Sequence, residues 1–536
     1  MIRSLLLCFL ATSIFIHAQT SLVFVYFTGK PNKAAFYVNP LTELSQKSLD
    51  RRTNLGIALN DQDAPIEPSY IQNIVNLGFT VTDYSKWLNG VAVKATPAQI
   101  ATLQAQPYVQ SVESFVRNSG NNIPKQPILK DHWFENSTQK NVQTVFNYGN
   151  SQQQIDQVNL RPLHLANYTG TGVSIAVIDT GFPTVDTGSA YAYIRNNNRI
   201  KGGFNFISKN NDIYNLNLNN HGSAVLGDIG GYIDNVFVGS APDADFYLYC
   251  SEVFGQEIPE EEIYWIEAAE EADRKGVDII TTSLGYNVFD DPQYNYSYAD
   301  MNGSTSFIAR AAGIAVDKGI FVLVAAGNSG NAPWHYILTP ADNAKVFTIG
   351  GVDSAGISSI FSSYGPNAAG HIKPDASALA TNTLTVYDNT TTTGNGTSLA
   401  TPIAAGGVAC LIQAFPHMNR NIMRDRLRQT ASLYPNHTDQ MGYGILNFGN
   451  FFQNTLAISE NILKKNISVY PNPTTDFINV NTDKNVFDVE LYDNLGRLIQ
   501  HYKNTKRISV EHLSSGIYYL KIVVEKQAFY EKIIKK

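Results

Sequence analysis

Ile175-Ala-Val-Ile-Asp-Thr-Gly181 is a short apolar, β-branched run that ends on an acid and a turn. A run of this kind without polar alternation reads as a strand buried on both faces. Working outward, Val173–Ile178, Phe246–Tyr249, Asp278–Ser283, Ile320–Ala326 and Phe347–Val352 repeat the pattern. Helical patterns such as Tyr264–Lys275 and Ser306–Lys318 lie between them. Strands alternating with helices predict an α/β fold, a doubly wound parallel sheet covered on both faces. Ligands of such sheets bind beyond the carboxyl ends of the strands. Asp179 follows the first of these strands. Asn328, in Ala325-Ala-Gly-Asn-Ser-Gly330, follows the fourth.

Two further motifs belong to the same edge. Asn220-His-Gly-Ser223 opens a helical segment, and His221 is the only one of the ten histidines followed by Gly. Gly396-Thr-Ser-Leu-Ala-Thr-Pro402 opens the long apolar segment Leu399–Phe415, with Gly396 permitting a tight approach to Ser398 and Pro402 suiting an early helical turn. A neutral serine hydroxyl is a poor nucleophile. It needs a neighbouring base, and the base needs a group that holds its tautomer. Asp179, His221 and Ser398 are candidates for those three roles. Asp-Thr-Gly also occurs in aspartic peptidases, and a second copy stands at Asp186-Thr-Gly188. Two aspartates sharing a proton must face each other from two lobes. Seven residues of separation cannot supply two lobes.

The order Asp…His…Ser, with these flanking residues, resembles the subtilisin-like (subtilase) serine peptidases. The resemblance implies an Asp179–His221–Ser398 triad acting through an acyl-enzyme. It also implies an oxyanion site at Asn328, and substrate backbone laid against Ser283-Leu284-Gly285 and Ala326-Gly327. The family usually carries Met after the serine, where this chain has Leu399. No cofactor is needed for that chemistry. Structural calcium is common in the family, and Phe289-Asp-Asp-Pro292 and Ala299-Asp-Met-Asn-Gly303 are oxygen-rich enough to be candidates, although they equally suit turns. The resemblance also puts the loop after Tyr249 beside the cleft that receives residues upstream of the cut bond. Glu252 or Glu257 facing that cleft would favour Lys or Arg there. Glu260–Glu262 after Pro259 read as an ordinary helix start.

The flanks have their own character. Residues 1–18 read as a secretory signal: Arg3, then the apolar stretch Leu5–Ile16, then Ala18. About a dozen apolar residues cannot span a bilayer, and no later segment does, so no transmembrane span is expected. Residues 19–117 form a small α/β unit: a strand at Leu22–Phe27, helices at Leu41–Arg52 and Pro68–Leu77, apolar stretches at Phe79–Tyr84 and Val91–Ala95, a helix from Pro97 and a strand at Val109–Phe115. Its position and Trp87-Leu-Asn-Gly-Val-Ala-Val-Lys-Ala-Thr-Pro97 resemble the inhibitory propeptides of subtilases. Residues 118–154 would be a processed linker, and 155–455 the catalytic domain. Residues 462–536 turn into short alternating strands, a β-sandwich pattern. Tyr470-Pro-Asn-Pro, Leu491-Tyr-Asp-Asn-Leu-Gly-Arg497, Leu513-Ser-Ser-Gly-Ile-Tyr-Tyr519 and the basic end Lys532–Lys536 resemble the sorting domain of type IX secretion cargo.

The chain has 536 residues, 43% apolar, with a formal net charge of −7. That is enough for several domains and a large core. The basic residues near the carboxyl end are too dispersed for a nucleic-acid site. Once the signal is gone, Cys250 and Cys410 remain, either as one disulfide or as two buried thiols. The resulting expectation is a secreted or outer-surface serine endopeptidase of a Gram-negative bacterium, exported through the periplasm. Its expected partners are protein or peptide substrates, its own propeptide as inhibitor, and the type IX secretion machinery. The rival from another class is a catalytically inactive binding protein on the same scaffold.

Overall fold

The computed structural model describes residues 19–117, 146–456, 467–482, 487–493, 497–524 and 527–536. The expected signal and residues 118–145 of the expected linker lie outside the described residues. The chain forms two compact units, one through Asn450 and one from Phe451 onward.

In the first unit, the N-terminal region runs β1 (Ser21–Phe27), α1 (Lys33–Val38), α2 (Gln46–Leu55), α3 (Pro68–Asn76), β2 (Asp83–Ser85), β3 (Gly90–Ala95), α4 (Pro97–Gln104) and β4 (Val109–Ser114). The strands form an antiparallel sheet in the order β2-β3-β1-β4. Successive side chains of a strand face opposite ways, and β1 uses both faces. Val23, Val25 and Phe27 join the region's own core with Ile74 of α3 and Leu103 of α4. Leu22 and Phe24 join a larger core shared with the rest of the unit.

The main region contains α5 (Gln152–Gln157), α6 (Arg161–Leu165), β5 (Ser174–Asp179), α7 (Ala192–Asn196), β6 (Ile200–Asn205), α8 (His221–Gly230), the β7–β8 hairpin (Tyr232–Ile233, Phe237–Val238), β9 (Asp245–Cys250) and α9 (Glu260–Lys275). It continues through β10 (Ile279–Thr282), α10 (Phe307–Asp317), β11 (Phe321–Ala325), β12 (Phe347–Val352), β13 (Ala376–Leu379), the β14–β15 hairpin (Thr383–Tyr387, Thr390–Gly394), α11 (Thr397–Ala414) and α12 (Arg420–Thr430). Seven parallel strands lie in the order β13-β12-β11-β10-β5-β9-β6. Helices α9 and α10 pair on one side of the sheet, and α8 pairs with α11 on the other. Every residue of β5, β10, β11 and β12 is buried, which is why they read as continuous apolar runs. Helix α11 is the one described helix long and apolar enough to cross a membrane, but 89% of it is buried in this core.

Four elements differ from expectation. The helix expected over Leu41–Arg52 breaks at Ser45, whose side chain accepts from Ser48 N and restarts the chain as α2. Of the apolar stretch Phe79–Tyr84, only its last two residues enter a strand. The edge strands β6 and β13 carried no apolar run long enough to announce them.

The second unit has two antiparallel sheets, one of three strands and one of four. Ile478, Val480, Val489, Leu491, Ile508, Val510, Leu520, Ile522 and Ile533 are its core.

Candidate active site

Asp179 ends β5, Ser283 follows β10 and Asn328 follows β11, three neighbouring strands of the sheet. His221 opens α8, and Ser398 is the second residue of α11. The five residues therefore meet at the carboxyl edge that a parallel sheet reserves for ligands.

The acid and the imidazole are in direct contact. His221 Nδ1 donates to Asp179 Oδ1 at 2.7 Å, and Thr180 N (2.8 Å) and Thr180 Oγ1 (3.2 Å) donate to the same oxygen. A proton held on Nδ1 leaves Nε2 as the free base. Asp179 is almost fully buried, and its Oδ2 makes no hydrogen bond among the described residues. The glycine after His221 has a steric reason. A Cβ at Gly222 would stand 2.5 Å from Gly181 O and 3.0 Å from Asp179 Cβ.

The serine and the asparagine converge on one point. A Cβ at Gly396 would stand 2.7 Å from Ser398 Oγ, 3.4 Å from Asn328 Nδ2 and 3.7 Å from Ser398 N. Only glycine keeps that space open. Asn328 is oriented by Thr397, whose N (2.9 Å) and Oγ1 (3.1 Å) both donate to Asn328 Oδ1, which turns the amide NH2 toward the opening. Thr397 stands inside the Gly-Thr-Ser motif, but nothing in the motif announces a hydrogen bond to a residue 69 positions away.

Pro402 falls in the second turn of α11 rather than the first. Having no N–H, it leaves the Ser398 carbonyl without its i+4 donor. Ser283 Oγ donates to that carbonyl at 2.8 Å. The Ser283 side chain therefore supports the residue that carries the hydroxyl.

The two expected substrate edges are not equivalent. Ser283, Leu284 and Gly285 make no backbone–backbone hydrogen bond among the described residues. Ala326 and Gly327 do not offer a free edge. Ala326 donates to Ile349 O and accepts from Leu338 N, while Gly327 donates to Thr397 Oγ1 and accepts from Ser363 N. Leu338, which the sequence reading did not single out, packs against both Gly285 and Gly327.

The acidic loop is organised inward. Glu252, Glu257 and Glu261 bring carboxylate oxygens within 4.8 Å of one another. Glu252 Oε1 accepts from Tyr286 OH (2.5 Å) and Ser251 Oγ (3.0 Å). Burial first, and the neighbouring carboxylates second, push Glu252 and Glu261 well above the usual carboxyl range. Tyr286 and Ser251 hold the Glu252 carboxyl in place, and its raised proton affinity weakens the charge it offers a basic substrate residue. At the start of α9 Glu260 is the least buried of the three glutamates and pairs with Lys94 at 2.9 Å. Glu261 accepts from Val253 N and Ile258 N, and Glu262 from Tyr296 OH and Ile308 N.

In the two oxygen-rich turns, Asp291 accepts from Gln293 N and Nε2, and Asp300 Oδ2 from Ser297 N and Oγ. Cys250 and Cys410 are free, buried thiols, and Cys250 sits in register beside Asp179.

An Asp–His pair at one strand end with a serine at a helix start on the same sheet edge is the arrangement of a serine hydrolase. The sequence comparisons make the assignment specific. The subtilase family (peptidase S8) matches residues 170–444, the Bacteroidota peptidase S8 propeptide domain 22–130, and the secretion system C-terminal sorting domain 468–536. Subtilisin DY of Bacillus licheniformis is 31% identical over 52% of this chain and 89% of its own length. Subtilisin E of Bacillus subtilis is 30% identical over 55% and 69%. The crystal structure of the epidermin leader peptide processing serine protease of Staphylococcus aureus shares the fold, with a TM-score of 0.54 at 16% identity, covering 82% of this chain and 99% of that one. The chain belongs to the subtilase family. It is a subtilisin-like serine peptidase with a propeptide and a sorting tail, which make it a secreted or cell-surface protein.

Proposed function

We propose that the chain is a latent endopeptidase whose nucleophile is Ser398. His221 Nε2 takes the Ser398 hydroxyl proton as Oγ attacks the scissile carbonyl, and then delivers it to the leaving amine. The acyl-enzyme is opened by water, with His221 again as base. Asp179 fixes the tautomer and stabilises the imidazolium without taking the proton. The tetrahedral oxyanion lies between Asn328 Nδ2 and Ser398 N. Substrate backbone adds as a strand along Ser283–Gly285. The observation that carries this reading is the convergence of Ser398 Oγ, Ser398 N and Asn328 Nδ2 on the opening beside Gly396.

Residues 19–117 fold and inhibit the catalytic domain 155–455, and residues 462–536 direct export and take no part in catalysis. The test is digestion of an unfolded protein by the purified mature enzyme, with Ser398→Ala as control. Internal cuts by the wild type alone are expected. Intact substrate in both would leave an inactive binding protein as the function. In a host with type IX secretion, a chain cut after Ile462 should stay in the periplasm with Ser398 still reactive. Normal surface delivery would remove the export role.

A further inference from the structure

Residues 28–67 stand between β1 and α3, and the four-stranded sheet does not need them. They close a small core of their own, Phe36, Leu44 and Ala64 with Leu49 and Leu59. Lys30 ties the insertion to the sheet, its Nζ donating to Asp61 O (2.7 Å), Ala64 O (2.5 Å) and Lys86 O (2.8 Å).

Helix α2 in this insertion carries Arg51 and Arg52, which are 4% and 2% exposed. Much of what they bind lies across the boundary, in the peptidase region. Arg51 donates to Asp273 Oδ1 and Val277 O, and at 3.3 Å to Lys318 O. Arg52 donates to Asp273 Oδ2 at 2.7 Å and to Asp63 Oδ1 at 2.8 Å. The peptidase region answers with Lys318, whose Nζ reaches Asp63 Oδ1 (3.1 Å) and Asn60 Oδ1 (2.7 Å). Ser45 N also donates to Arg274 O at 2.9 Å. The backbones approach closely, since a Cβ at Gly276 would stand 2.5 Å from Ser48 N. Val277 lies two residues past the end of α9 and Lys318 directly past the end of α10, and the negative ends of helix dipoles favour cations.

The sheet face of the N-terminal region makes a separate foothold. Phe24 and Phe115 lie against Phe307, and Glu270 accepts from Ser85 Oγ (2.5 Å), Trp87 N (2.9 Å) and Lys86 N (3.1 Å). None of these contacts is made by a residue of the insertion, although Lys30 reaches the Lys86 carbonyl beside them.

We propose that α2 is a second, independent latch, a paired-arginine surface on the carboxyl ends of α9 and α10. It keeps the N-terminal region seated on the peptidase after the chain between them has been cut, in addition to the foothold made by the sheet. The proposal rests on the reading of residues 19–117 as a processed inhibitor. Removing one partner of a buried ion pair leaves the other uncompensated, so the bound state has much to lose. Buried pairs are also little screened, so salt alone does not open the latch.

The test uses the full chain in three forms: wild type, Arg51→Met/Arg52→Met, and Gly276→Asn. The last keeps a residue that tolerates the left-handed conformation at the end of α9 while placing a side chain against α2. After processing, two quantities are followed: the fraction of N-terminal region still co-eluting with the peptidase, and the lag before peptide hydrolysis. Both variants should release the region at least ~10-fold faster and reach the wild-type final rate. Wild-type release and lag in both variants would overturn the latch and leave the proposed function standing. No hydrolysis by the wild type would overturn the proposed function instead. Release is then compared in Ser398→Ala chains cut at a protease site introduced within residues 118–145, where equal rates with and without the arginines would overturn the latch. If the double variant fails to fold, Gly276→Asn and the single variant Arg52→Leu, which removes the cation between two carboxylates, decide the matter.

Discussion

Asp179 and Asp273 are both buried carboxylates of the peptidase region, and they are held in opposite ways. Asp179 takes its hydrogen bonds from Thr180 and His221, residues of the same region. Asp273 takes its ion pairs from Arg51 and Arg52 of the N-terminal region. Burial pushes the Asp273 carboxyl up, but the two arginines outweigh it and hold it below the usual range. The catalytic centre therefore carries its own support within the peptidase region, whereas the Asp273 ion pairs exist only with the N-terminal region in place. A self-contained site suits persistence, and a shared charge suits a single release.

The largest effects are expected from changes at the self-contained site. Ser398→Ala or Asp179→Asn should lower kcat by on the order of 10⁴-fold or more without changing how tightly the N-terminal region is held. The checks are turnover and co-elution. Loosened association in either variant would mean that the two sites are not independent. Asn328→Leu should cost on the order of 10²–10³ in kcat with KM little changed, because an oxyanion donor acts only in the transition state. A rise in KM at constant kcat would place Asn328 in ground-state binding instead.

Ser283→Ala removes the donor that replaces the N–H Pro402 lacks. A hydrogen bond of this kind is worth about 1 kcal/mol, so kcat should fall by about five- to tenfold, with specificity unchanged. An unchanged kcat would show that the Ser398 carbonyl needs no such support.

The smallest effect is a pH dependence that separates the two footholds. Glu267 accepts from Tyr84 N at 3.1 Å, with Lys209 Nζ at 2.5 Å, and Lys209 in turn pairs with Asp83 at 2.6 Å. Tyr264 lies beneath the Lys209 ammonium. Burial pushes the Glu267 carboxyl up to about 7 from 4.5 despite Lys209. A carboxyl raised in the bound state favours association fully below its free value, and that contribution is lost as pH rises through about 7. Asp273, held low, has the opposite sign and loses its contribution only as pH falls below its ordinary 3.8. Release should therefore quicken a few-fold between pH 5 and 8, and Glu267→Gln should flatten that slope while the arginine variants keep it. A slope unchanged by Glu267→Gln would remove the assignment.

The sheet was legible wherever both faces of a strand are buried. Ile175–Ile178 and Phe347–Val352 have no polar alternation because helices cover both sides. The edge strand Ile200-Lys-Gly-Gly-Phe-Asn205 is partly exposed, so its apolar pattern is weak. At the site, the order Asp179, His221, Ser398 and the position of Asn328 could be read directly, because each stands at the end of a strand or the start of a helix. The work of Thr397 and Ser283 could not, since each depends on a partner at least 69 positions away. Ala326 and Gly327 looked like an open edge because the sequence does not reveal that Leu338, Ser363 and Thr397 already occupy their hydrogen bonds. Arg51 and Arg52 read only as the polar part of a helix. Their burial comes from surfaces on α9 and α10, more than 200 residues along the chain.

The most direct test of the central claim is labelling with a fluorophosphonate probe, followed by mass spectrometry of the modified peptide. The processed wild type should carry one adduct on Ser398, formed slowly in Asn328→Leu and not at all in Ser398→Ala. An unlabelled processed wild type, or equal labelling of Ser398→Ala, would contradict the assignment of Ser398 as the nucleophile.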